Sequence, residues 1–149
     1  VLPLSRQDVA DIYWLEATIA KELASTATEG LTDEQIDDLE RANEDLARAV
    51  IDGDPDTINA AEFAFHRIFN RATGRMKLAW FLLHAARYMP PLVYVTDLGW
   101  GQSAVENHRQ LIAALRRRDS AALAQVVDRE FTEGARLLLE QLERSGMWT

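Results

Sequence analysis

Three histidines are the side chains here best suited both to bind a transition metal and to move a proton near neutral pH, and the chain has no cysteine. Two of the three keep acidic company. Glu62-x-x-x-His66 puts a carboxylate and an imidazole four residues apart, one above the other on a single helical face. His108 and Glu130 fall on two later helical segments. Imidazole nitrogen and carboxylate oxygen are both ligands for divalent cations, and four such groups projecting inward from a helical bundle can converge on one ion. The same four-residue spacing also builds an ordinary surface pair, so spacing alone leaves both readings open. His84, within Trp80-Phe81-Leu82-Leu83-His84, lies on an apolar helix and reads as a core or interface histidine with one hydrogen bond, not as a fifth ligand.

The elements that must position these groups are helices. Ser5-Arg6-Gln7-Asp8 is a capping-box variant, after which Val9, Ile12, Tyr13, Leu15, Ile19 and Leu23 recur at helical spacing as far as a break at Thr28-Glu29-Gly30. Thr32-Asp33-Glu34-Gln35 caps a second helix with Ile36, Leu39, Leu46 and Val50 on one stripe, ending at Asp52-Gly53. Pro55 suits the first turn of a third helix, which runs to about Ala72 before Thr73-Gly74. A fourth is expected over about Arg75 to Met89, stopped by Pro90-Pro91. Residues 92–101, with β-branched and aromatic side chains and two glycines, fit either a loop or a distorted helix. A fifth helix from about Gln102 to Arg118 precedes Asp119-Ser120, the cap of a sixth that ends near Ser145-Gly146. No strand alternation competes. The expected fold is all-α, an antiparallel bundle of six or seven helices in one domain over residues 1–149, because connections this short join antiparallel neighbours.

Bulk composition narrows the function classes. A hydrophobic fraction of 48% with 27% charged residues belongs to a globular chain. A net charge of −8 makes phosphate backbones and anionic lipid surfaces poor partners. Arg116-Arg117-Arg118 ends a helix, where cations complement the dipole, and so is not read as a nucleic-acid patch. No apolar run reaches the roughly 20 residues that span a bilayer. The lack of cysteine accords with a reducing, cytoplasmic setting. The start at Val1-Leu2-Pro3, with no initiator Met, is expected of a piece of a longer protein.

Three segments carry a family resemblance. Residues Leu4 to Tyr13 resemble the stretch that leaves the winged helix of GntR-type transcription regulators and opens their effector domain. Phe65-His66-Arg67, with an acidic residue four before the histidine, resembles the D-x-x-F-H signature of the FadR-subfamily C-terminal (FCD) domain. Glu106-Asn107-His108 to Leu115, followed by Arg118-Asp119, resembles that domain's E-H-x-x-I-x-x-A-I-x-x-G-D stretch. The order is the family's, and the resemblance spans nearly the whole chain. It implies a dimeric FCD-like bundle that binds a metal through one Asp and three His and takes small organic acids in the same cavity. Carried over, the metal ligands are Glu62, His66, His108 and Glu130, with Glu standing for the usual Asp at position 62 and for the usual His at position 130. Arg75 replaces a frequent Asn, and Glu16 lies near the place of a frequent Arg.

Two His and two Glu are one negative charge richer than one Asp and three His. The exchange moves preference from Zn and Ni towards Mn or Fe(II), although Zn also accepts carboxylates. Without an ion, two facing buried carboxylates would need a proton, a charged His or an Arg between them. Around the cavity, Arg87 and Tyr88 are candidates to meet an anionic ligand, and Trp100, between two glycines, to cover its opening. The plainer reading of Arg87 is an arginine extending into solvent at its helix end. Trp14, Trp80 and Phe81 are candidate dimer anchors. The expected function is effector sensing and dimerisation, without enzymatic activity, with DNA contacted only through an attached winged helix. A metal-dependent enzyme on a helical bundle and a metal-free ligand-binding bundle are the alternatives. Against the enzyme, Glu62-x-x-x-His66 has neither the spacing nor the twin of a di-iron Glu-x-x-His pair.

Overall fold

Helix starts follow the caps. In the computed structural model, which describes residues 4–89 and 98–148, the Ser5 hydroxyl accepts from the Asp8 amide while the Asp8 carboxylate accepts from the Ser5 amide, opening α1 (Arg6–Gly30). Thr32 and Gln35 make the same reciprocal pair at the start of α2 (Asp33–Asp52). Asp54 caps α3 (Pro55–Ala72), with proline in the first turn where a missing N–H costs nothing. Gly53 closes α2 at φ 75°, a left-handed conformation that side chains with a Cβ adopt at a cost.

Two expectations about the second half need adjusting. α4 (Met76–Ala86) is shorter than predicted, its last residues to Met89 forming turns, and Arg75 is its N-cap. α5 (Leu98–Arg116) begins earlier than Gln102, so the described part of the 92–101 stretch is helical and the rest lies outside the described residues. Gly101 sits where the start of α5 passes close to α2. A Cβ there would stand 2.8 Å from a Val50 methyl, so α5 approaches α2 too closely for any side chain. α6 (Ser120–Arg144) follows an Asp119 cap, as expected.

The result is an all-α antiparallel bundle of six helices among the described residues. α1 packs on α6 and α4, α2 on α3 and α5, and α5 on α6. The main core joins Leu23, Leu39, Phe65, Leu111, Leu115 and Leu123 from five helices. A smaller cluster around Leu46, Val50, Ile58 and Val105 ties α2, α3 and α5, and a third around Val9, Tyr13, Leu138 and Leu142 ties α1 to α6. The Trp148 indole N–H donates to the Leu4 carbonyl at 2.6 Å, holding the two ends of the chain together.

Two of the three arginines at the end of α5 tie it to neighbouring helices from the surface. Arg116 pairs with Asp37 and Glu40 of α2, and Arg118 donates to the Thr28 and Leu31 carbonyls and to Asp33. These bonds fasten the α5–α6 turn over the α1–α2 turn, which accords with a structural role for Arg116 and Arg118.

Candidate metal centre and ligand cavity

Each ligand position follows from helical phase. On α3, Phe65 faces the core and is fully buried, so Glu62 and His66, one turn apart, line the edge of the same face. On α5, His108 shares the inward stripe with Ala104, Leu111 and Leu115 and has no exposed surface. On α6, Glu130 lies one turn past Val126 and Val127.

The four side chains converge. Each offers one donor atom, and the four donors lie within 4.8 Å of one another. His66 Nε2 stands 3.0 Å from Glu62 Oε1 and 3.4 Å from Glu130 Oε1, and His108 Nε2 stands 3.7 and 3.9 Å from the same two oxygens. Two ligands bonded to one ion at about 2.1 Å stand roughly 3 to 3.4 Å apart, so only small movements separate this arrangement from a coordination shell.

Second contacts aim the donors. His108 Nδ1–H donates to Asn43 Oδ1 at 3.1 Å, and Asn43 Nδ2 donates to the Val105 carbonyl at 3.1 Å. The second bond decides which way the amide points, and the first leaves the His108 lone pair on Nε2, facing the cluster. Phe65 stacks on the His108 ring at 3.6 Å with 8° between planes, fixing its tilt. His108 Nε2 and Glu62 Oε2 are buried without a hydrogen-bond partner. Buried polar atoms are rarely left so, and two of them beside each other in a set of known ligand types fit a cation.

Charge within the cluster is shared unequally. Burial works against a charged His66, but Glu130 and Glu62 outweigh it and raise the His66 pKa well above 6.5. Burial lowers the pKa of His108, and Glu62 and Glu130 do not restore it. Burial also raises Glu62, an effect that His108 and His66 more than reverse. In the ion-free protein, then, His66 bridges the two carboxylates and they favour its charged form, one of the three arrangements expected in the absence of an ion.

A cavity of about 490 Å³ opens onto Glu62, His66 and Glu130, with His108 behind them. Its walls include Tyr13, Phe63, Phe131, Arg87 and Trp100. Of the three residues expected around the opening, the structure brings Arg87 and Trp100 to the lining, whereas Tyr88 is 74% exposed and outside it. His84 stands apart from the cluster, its Nδ1 bonded to the Trp80 carbonyl at 2.8 Å and its ring over Trp80. Arg75 turns away to Glu22 at 2.6 Å.

Sequence reasoning passed over Asn43 and gave Glu16 no role. Asn43 carried a legible signal, since it occupies the apolar stripe Leu39, Leu46, Val50 at helical spacing, where an amide needs a polar partner. Glu16 is 5% exposed, lines the same cavity, and keeps Oε1 without a hydrogen-bond partner. Burial pushes its carboxyl up to about 7, against a smaller opposing pull from His66.

Comparison with known proteins accords with this architecture. The profile of the FCD domain matches residues 11–132, so the chain belongs to the FCD domain family. The resemblance to the effector domains of GntR-type regulators therefore holds at the level of the family. The fold is similar to that of E. coli McbR/YncC, with a TM-score of 0.84 at 18% identity, covering 93% of this chain and 67% of that one. Comparison with curated sequences finds no significant match. No helix among the described residues is long and apolar enough to cross a membrane.

Proposed function

We propose that this chain is the effector-sensing and dimerisation domain of a GntR-type transcription regulator. It takes a small organic acid in the 490 Å³ cavity, beside a divalent cation held by Glu62, His66, His108 and Glu130. The observation that carries the reading is the pair of buried, unpartnered atoms, His108 Nε2 and Glu62 Oε2, beside the cavity that Glu62 lines. A bound ion would supply a Lewis-acidic point for a ligand oxygen. The protein's own part is to hold the four donors in register and to keep Asn43 and Phe65 behind His108. With two carboxylates in the set, Mn or Fe(II) competes with Zn or Ni better than in a three-histidine set.

Ligand binding would favour one geometry of a homodimer and so set the spacing of two attached winged-helix domains, through which alone DNA is met, in the cytoplasm. Trp80 and Phe81, half-exposed on α4, and Trp14, 70% exposed on α1, support an apolar contact between copies. Sedimentation is expected to give a dimer at tens of micromolar. A monomer alone would remove that part of the reading.

The test of the centre is metal content and thermal melting after chelation. An ion bound only by the native state at a hundredfold excess over Kd stabilises it by about 2.7 kcal/mol. His66→Ala and His108→Ala should each abolish most of that gain. If Mn, Fe(II), Ni and Zn all leave the midpoint unchanged, the pocket works without a metal and the charged His66 is the permanent bridge between Glu62 and Glu130.

A further inference from the structure

The cavity has a second polar feature, on α1 and outside the four-donor set. Glu16 is 5% exposed, its Oε1 has no hydrogen-bond partner, and it shares the cavity lining with Glu62 and Glu130. Three carboxylates thus face one space. Against them stand His66, already engaged by Glu62 and Glu130, and Arg87, which is exposed. A ligand whose two ends are both anionic would bring one end towards Glu16 with no buried cation to receive it. The adjoining walls are aromatic, from Phe63, Phe131 and Trp100. Aromatic faces and an unpartnered carboxyl group, which an adjacent ammonium would hold ionised, together suit a cationic nitrogen.

We propose that Glu16 is a specificity-determining residue that receives the protonated amine of the effector, so that the ligand is an amino-bearing acid and not a dicarboxylate. Its carboxylate end faces the Glu62–His66–His108–Glu130 side and its ammonium end faces Glu16. The assignment rests on the cavity reading above and adds to it the chemistry of the ligand's far end.

Matched probes test it on the metal-loaded chain by titration calorimetry: β-alanine, γ-aminobutyrate and δ-aminovalerate against malonate, succinate and glutarate. Each pair shares one carboxylate and differs at the other end. The best amino acid should bind at least about tenfold more tightly than its dicarboxylate counterpart, the scale of one charge-assisted hydrogen bond. Glu16→Gln should erase that preference and Glu16→Lys should reverse it, with circular dichroism checking that each variant folds. Glu16→Gln should also leave metal uptake unchanged. Equal or tighter binding of the dicarboxylates overturns the inference, as does failure of every amine to bind at about 10 mM, a weak-binding ceiling. Metal uptake by the wild-type chain is read in the same samples. Its loss would fault the metal-centre reading, whereas normal uptake with no amine preference faults only the role of Glu16.

Discussion

The inner cluster and the outer edge of the cavity are built on different physics. Inside, His108 is fully buried, stacked on Phe65, bonded to Asn43 and left with one open nitrogen. At the edge, Arg87 is exposed, and Tyr88, its neighbour, is outside the lining altogether. The two regions use residue types of similar chemical promise. What separates them is whether neighbouring helices fix the rotamer and remove water, because a desolvated donor with one free lone pair is preorganised and an exposed one is not. His84 makes the same point within one residue type. On the α4 surface its Nδ1 bonds to its own helix's Trp80 carbonyl, and its ring stands outside the set of converging donors.

Removing the packing behind His108 is the harshest way to break this contrast. Phe65→Ala should cost about 3–5 kcal/mol of stability, the usual range for a buried phenylalanine, and should release the His108 ring as well. Denaturant melts measure the first effect, and loss of metal-induced stabilisation measures the second.

The Glu16 side of the cavity should announce itself through pH. Its carboxyl is raised to about 7 from 4.5, so the folded state holds a proton that the unfolded state has released. That contribution is fully present below about pH 4.5 and fades as pH rises through 7, amounting to roughly 3 kcal/mol. His66, raised, acts with the same sign, and His108, lowered, with the opposite one, so wild type alone does not isolate Glu16. The difference between ion-free wild type and Glu16→Gln does. Glu16→Gln should gain relative stability between pH 5 and 8, and a flat difference would mean that Glu16 is solvated in solution.

Asn43 sharpens the inner half of the comparison. Asn43→Ala should weaken metal binding about 10–100-fold by freeing the His108 ring, while leaving its four ligands in place. At the small end, Tyr88→Ala should change stability by no more than about 0.5 kcal/mol, since its side chain is 74% exposed. A larger loss in the assembled dimer, seen as concentration-dependent melting, would place that surface in the subunit contact.

Much of this was legible in the residues. Ser5, Thr32, Asp54 and Asp119 announce four helix starts, because capping is a local exchange of hydrogen bonds between neighbours in sequence. The early start of α5 was left open by its residues, and the close passage of Gly101 by Val50, 51 positions earlier in a different helix, is not written in any local stretch. The i,i+4 pair Glu62 and His66 was readable for the same reason as the caps, whereas its meeting with His108 and Glu130 was reached only through the family's motifs. By itself the sequence determined the helices, their polarity and the donor types, all of which are set within a few residues. Only the tertiary structure decided which polar atoms lose their water and find no partner. Asn43 reaches His108 across 65 positions, and Glu16 meets the space faced by Glu62 and Glu130 from a helix that none of the four donors occupies. Desolvation is a property of the packed helices jointly, and no local stretch of chain encodes it.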